Sequence, residues 1–180
     1  SITIYMNKLL KLANYIDKLN HAMAIIARFC VIFMLSLGFW NVIGRYVGVS
    51  IGYNLSSNLL IEGQWYLFDL IFLLGLAWTL QKNGHVRVDI LQGRWNKNTK
   101  IKIELLGTLL LLLPFSIGVF LISIDPVLHS WQILEASPDP NGLPRYLIKT
   151  IIPISFLLLS LQGIAILIRT FYELKTTKVK

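Results

Sequence analysis

Four apolar runs, each near twenty residues long, decide what this chain can become. They cover about residues 22–43, 64–81, 103–124 and 147–168. A helix of about 20 apolar residues crosses the ~30 Å hydrocarbon core of a bilayer. A membrane β-barrel would instead show strictly alternating segments of about 10 residues, and these runs do not alternate. The expected fold is therefore an all-α integral membrane protein with four transmembrane helices in a single membrane domain over 1–180. Composition agrees: 14% of the residues are charged and 55% are hydrophobic, where a soluble domain carries about 25% charged residues.

The net charge of +8 is distributed unevenly. The N-terminal segment, the connector after the second span and the C-terminal tail, together with Arg28 just inside the first span, hold 14 of the 17 lysines and arginines. The other two loops hold only Arg45, Arg145 and Lys149. Bases collect on cytoplasmic loops, so four spans with both termini inside satisfy the rule at every loop. The basic balance then points to membrane phospholipids and gives no reason to expect nucleic acid as a partner. Cys30, the one cysteine, excludes an intrachain disulfide. Lys8, Lys11 and Lys18 are too widely spaced for a cleavable signal, and no small-residue cleavage site follows the first run.

Between the spans, local patterns predict further elements. Tyr5, Leu9, Leu12, Ile16 and Leu19 recur at helical spacing, so residues 1–20 should form an amphipathic interfacial helix. Residues 44–61 and 125–146 read as loops, the second carrying the turn-forming run Ser137 to Pro144. Asp89 with Gln92 resembles a capping box, which predicts a short interfacial helix over about 90–95 after span two. Pro114 frees the carbonyl of Leu110 and predicts a kink in span three. Gly107 and Gly118 share a face there, where another helix can approach. Pro153 falls in the first turns of span four, where proline disturbs least.

The residues with chemical potential cluster between Glu62 and Asp89. Asp69 is the most expensive: an ionised side chain near the membrane centre costs ~2.5–3.5 kcal/mol on insertion scales. It reads either as part of an ion or proton path or as a hydrogen-bonding group for another helix or subunit; no second intramembrane acid accompanies it, which favours the latter. Glu62 and Trp65 lie on related faces of the same helix. Gly84 is expected to end that helix. His85, Arg87 and Asp89 then alternate with valines, placing three polar side chains on one side of an extended segment. A metal site would need further ligands, and the connector supplies none. The run reads as a brace, with Arg87 suited to a carboxylate or a lipid phosphate. His21, His85 and His129 sit at span ends or in loops, a poor arrangement for axial haem ligation. No nucleophile–base pair or catalytic carboxylate pair is present.

The combination Glu62, Trp65-Tyr-Leu-Phe68, Phe72-Leu-Leu-Gly75 and Gly84-His-Val-Arg-Val-Asp89 resembles the DctQ-like small membrane subunit of tripartite ATP-independent periplasmic (TRAP) transporters. Leu111-Leu-Leu-Pro114, Ser130-Trp131, Glu135-Ala-Ser137, Gly142-Leu-Pro144, Lys149 and Leu161-Gln-Gly163 resemble its mannitol or chloroaromatic branch. The resemblance covers about residues 25–170. It implies a non-enzymatic inner-membrane subunit without a cofactor of its own. Its partners would be a large permease subunit, where sodium coupling and substrate binding reside, and a periplasmic solute-binding protein. Glu62, Trp65, Asp69, His85, Arg87 and Asp89 become the candidate interface or structural residues. A membrane anchor for a redox complex, holding haem or quinone, is the competing reading.

Overall fold

The computed structural model describes residues 2–53, 55–84 and 96–177. Among these residues, four helices are long and apolar enough to cross a membrane. Among the described residues the only β pairing is an isolated bridge between Ala136 and Pro144. The elements are α1 (Ile2–Ile51), α2 (Asn58–Gln81), α3 (Lys97–Gly107), a π turn (Thr108–Leu112), α4 (Leu113–Gln132) and α5 (Arg145–Thr177). The turn and its flanking helices α3 and α4 together make the third span.

The helices outrun the apolar runs. α1 has 50 residues, about 75 Å at helical rise, so the amphipathic segment and the first span form one unbroken rod. The loop expected over 44–61 shrinks accordingly, because α1 continues to Ile51 and α2 starts at Asn58. Hydropathy marks the part of a helix that lipid can cover; the helix itself continues while its backbone bonds are made. α1 buries a single narrow seam of Ala13, Ile16, Asn20, Ala24 and Ala27, extended by Asn41. Small residues at three- and four-residue spacing keep one face close to its neighbours and leave the rest to the membrane.

α5 is the hub. α1, α2, α3 and α4 all pack on it, whereas α4 has no comparable contact with α1 or α2. One apolar cluster joins Ala27, Leu74, Ala77 and Leu158 across α1, α2 and α5. A second joins Ala13 and Ile16 to Ala165. Hydroxyls add ties to the hub: Ser155 Oγ donates to the Leu73 carbonyl of α2 at 2.7 Å and Ser160 Oγ to Ser116 Oγ of α4 at 2.9 Å. Close approach between α4 and α5 uses Gly163, where a Cβ would lie 3.0 Å from Leu113 Cδ2. Gly107 and Gly118, expected to admit a helix, face open space.

The prolines behave differently from one another. At Pro114 the break becomes a π turn, in which the Leu113 amide reaches back to the Thr108 carbonyl. Pro153 lies inside α5, since that helix begins at Arg145 and not near Leu147. α2 ends in a Schellman arrangement, with Asn83 donating to Leu80 and Gly84 to Thr79. The residue in the left-handed region is Asn83, at φ 54°, so asparagine makes the stop that Gly84 was expected to make.

Candidate partner-facing site

Two ends of the helix assembly can be distinguished. One holds the N-terminal part of α1 and the C-terminal part of α5. The other, the loop end, holds residues 52–53, 55–57 and 133–144. The three candidates among the described residues, Glu62, Trp65 and Asp69, fall on α2.

Glu62 is the fifth residue of α2 and is buried. Its carboxylate accepts from Ser137 Oγ and from the Leu143 amide. One turn on, Tyr66 donates its hydroxyl to the Leu143 carbonyl at 3.2 Å. Both backbone polar groups of Leu143 are therefore held by α2. The loop between them is a tight turn: the Gly142 amide returns to the Asp139 carbonyl at 3.0 Å, with Pro140 second and Asn141 third at φ 58°. Proline followed by a left-handed asparagine is the type II pattern. Gly142 has no room for a side chain, because a Cβ there would fall 2.3 Å from Ser137 Cβ and 2.8 Å from Glu62 Oε2.

A second carboxylate secures the other side of this loop. Glu135 accepts from Ser130 Oγ at 2.6 Å and pairs with Lys149. The Lys149 ammonium first, and the Ser130 hydroxyl second, hold Glu135 below the usual carboxylate range. Trp131 Nε1 donates to Thr150 Oγ1 at 2.8 Å, and its ring lies 4.5 Å from that of Tyr146. The end of α4 is thus tied to the start of α5. α4 closes with Leu134 in the left-handed region at φ 46°, where the Glu135 amide donates to the Ser130 carbonyl at 2.9 Å.

Asp69 stands two turns beyond Glu62 and has the opposite surroundings. It is exposed on the outer side of α2. Trp65, Phe68 and Phe72 share its stripe, and each is 58% exposed. Beside the stripe runs an open groove of about 410 Å³ between α2 and α5, lined by Asp69, Phe72, Leu73, Ile148, Lys149, Ile152 and Phe156. No hydrogen bond reaches the Asp69 carboxylate from the described residues. Lys149 borders the groove, but its ammonium is engaged by Glu135.

At the opposite end a buried network ties α1 to α5. Asn20 Nδ2 donates to Gln162 Oε1 at 2.6 Å, and Gln162 Nε2 to Asp17 Oδ1 at 3.0 Å. Arg169 completes it, pairing with Asp17 and donating to Asn14 Oδ1 at 2.9 Å. Asn20 and Gln162 are fully buried.

Of the sequence candidates, the fold brings Glu62, Trp65 and Asp69 onto one helix but into two environments. His85, Arg87 and Asp89, and the short helix expected over 90–95, lie outside the described residues. The sequence reading did not identify the loop amide of Leu143, Tyr66, the Glu135–Lys149 pair as a structural tie, or the Asn20–Gln162 network. For the last the signal was present: amides inside or beside apolar runs need partners on other helices.

The model of the DctQ component of tripartite ATP-independent periplasmic transporters matches residues 34–173. This chain belongs to the DctQ family. Four apolar helices and this match make it a multi-pass protein of the bacterial inner membrane and the small permease subunit of a TRAP transporter. The match gives no support to the redox-anchor reading. No curated protein and no solved structure matches the chain with significance. The matched DctQ segment contains the Glu62 pocket, the Asp69 groove and Gln162, and begins after Asn20.

Proposed function

We propose that this DctQ chain is a non-catalytic scaffold subunit. It braces the large permease subunit during sodium-coupled import of an organic acid or similar solute that a periplasmic binding protein delivers. The observation that carries this reading is where the polar groups go. Glu62, Glu135, Asn20, Gln162 and the buried serines are spent on tying helices and loops of this chain together. A subunit that moved solute through itself would need such groups to line a path, and transporters place them at broken helices near the midplane. Substrate and sodium sites are accordingly assigned to the large subunit.

The orientation follows from charge. The end bearing both termini carries most of the bases, so it faces the cytoplasm and its phospholipid headgroups, and the Ser137–Pro144 turn faces the periplasm. A cysteine replacing Asp139, in a background lacking Cys30, should react with an impermeant thiol reagent in cells with a permeabilised outer membrane. One replacing Lys97 should not react. The reverse pattern would invert the topology.

Removal of this subunit tests the scaffold role itself. Uptake should be lost even when the large subunit and the binding protein are present, and should return when the chain is supplied again. Full uptake without it would contradict the proposal.

A further inference from the structure

The outward faces of this molecule are not alike. α1 shows the membrane an apolar surface that includes Phe29, Phe33 and Phe39, and α4 shows one that includes Leu111, Leu121 and Ile122. Lipid satisfies such surfaces. α2 instead presents Trp65, Phe68 and Phe72 around Asp69. Asp69 is eleven residues into a helix of 24, about 17 Å from its first residue, and two turns beyond the buried Glu62. Hydrocarbon offers an exposed carboxylate nothing, and intramembrane acids face protein or a water-filled cavity. The described residues provide no hydrogen bond to it, and the nearest cation along the groove, Lys149, is held by Glu135.

We propose that the groove between α2 and α5 seats a transmembrane helix of the large permease subunit, which presents a cationic or hydrogen-bond-donating side chain to Asp69. The proposal rests on the scaffold reading above and names the face through which the brace acts. Charge complementarity selects the occupant. An acid at this depth needs a donor carried on a buried helix, and a groove about 410 Å³ in volume, floored by Ile148, Ile152 and Phe156, offers the apolar bed such a helix needs. Aromatic side chains around one polar anchor are also the composition of strongly contributing interface positions. Two ties border the groove. Glu135 draws Lys149 towards the loop, and Ser155 holds α5 against α2 at Leu73.

The test uses the complex purified from cells that express both membrane subunits with the binding protein. A photo-reactive benzoylphenylalanine is placed at Phe72 or Ile152 in the groove, and at Phe33 or Ile122 on the other faces. Irradiation should join this chain to the large subunit from the two groove positions and not from the other two. Asp69→Leu should lower the large subunit recovered with the chain by about tenfold, and Asp69→Asn should lower it less, since an amide can still accept a hydrogen bond. Neither variant should shift the melting of the chain purified alone. Adducts from Phe33 or Ile122 with none from the groove would overturn the assignment, as would adducts from the groove to phospholipid alone. Failure of the unmodified chain to retain any large subunit would instead remove the scaffold reading, and this assignment with it.

Discussion

Glu62 and Asp69 are two acids on one face of one helix, seven residues apart, and the fold treats them oppositely. Glu62 is enclosed by the 137–143 turn and accepts from a hydroxyl and a backbone amide. Asp69 lies open in a groove flanked by aromatic rings. The difference teaches how an acid in a membrane helix should be read. One that its own chain satisfies is a fastening, and its removal damages the fold. One that its own chain leaves exposed is a requirement placed on something else, and its removal should damage assembly.

The largest effect should come from Glu62→Ala. It leaves the Leu143 amide and the Ser137 hydroxyl without their acceptor, and buried donors without partners are costly. The melting temperature of the chain in detergent should fall by about 10 °C, with protease cleavage appearing in the 137–143 turn. An unchanged melting curve would erase the contrast with Asp69.

Gly142→Ala probes the same pocket from the loop side. Its Cβ would meet Ser137 and Glu62 at contact distances no side chain tolerates, so the turn must move. Overpacking of this kind costs about 1–3 kcal/mol, measurable by thermal unfolding. Glu62→Ala combined with Gly142→Ala should cost less than the sum, because both act on one pocket.

Acidification tests the tie between Glu135 and Lys149 at the loop end. Glu135 is depressed in the folded protein, so its contribution is complete above the unfolded value of about 4.3. It is lost as pH falls through the lower folded value. Below about pH 4.3 the melting temperature should therefore fall more steeply in the native chain than in Glu135→Gln. Parallel curves would show that the Lys149 pair contributes nothing. Leu134→Gly works in the opposite direction. Leu134 occupies the left-handed region at φ 46°, a conformation that costs a branched residue about 1–2 kcal/mol. Relief of that strain, less the flexibility glycine adds to the unfolded chain, should raise stability by up to about 1 kcal/mol.

These contrasts also mark what can be read from a sequence like this one. The four spans are legible because hydrocarbon imposes a length on each apolar run. The ends of the helices are not, because Asn14, Asp17 and Asn20, weaker helix formers than leucine, are held in α1 by Gln162 and Arg169 of α5, and because the stop at Asn83 depends on a backbone angle. Glu62 could be singled out as an acid beside a span. Its partners could not, since one of them is the amide of Leu143, 81 positions away, and backbone amides leave no mark on a sequence. Gln162 and Asn20, 142 positions apart, needed a known helix arrangement before they could be paired. Asp69 is the reverse case: its isolation among apolar residues was visible at once, and the fold adds the direction in which it faces.

The central claim is that Glu62 serves the fold and Asp69 serves the assembly. The most direct measurement compares Glu62→Gln with Asp69→Asn in two assays: thermal unfolding of the chain alone in detergent, and recovery of the large subunit from co-expressing cells. Glu62→Gln should lower the melting temperature of the isolated chain, while Asp69→Asn should leave melting unchanged and still lower recovery. A lowered melting temperature for isolated Asp69→Asn, with unaltered recovery once the chain is folded, would contradict the account.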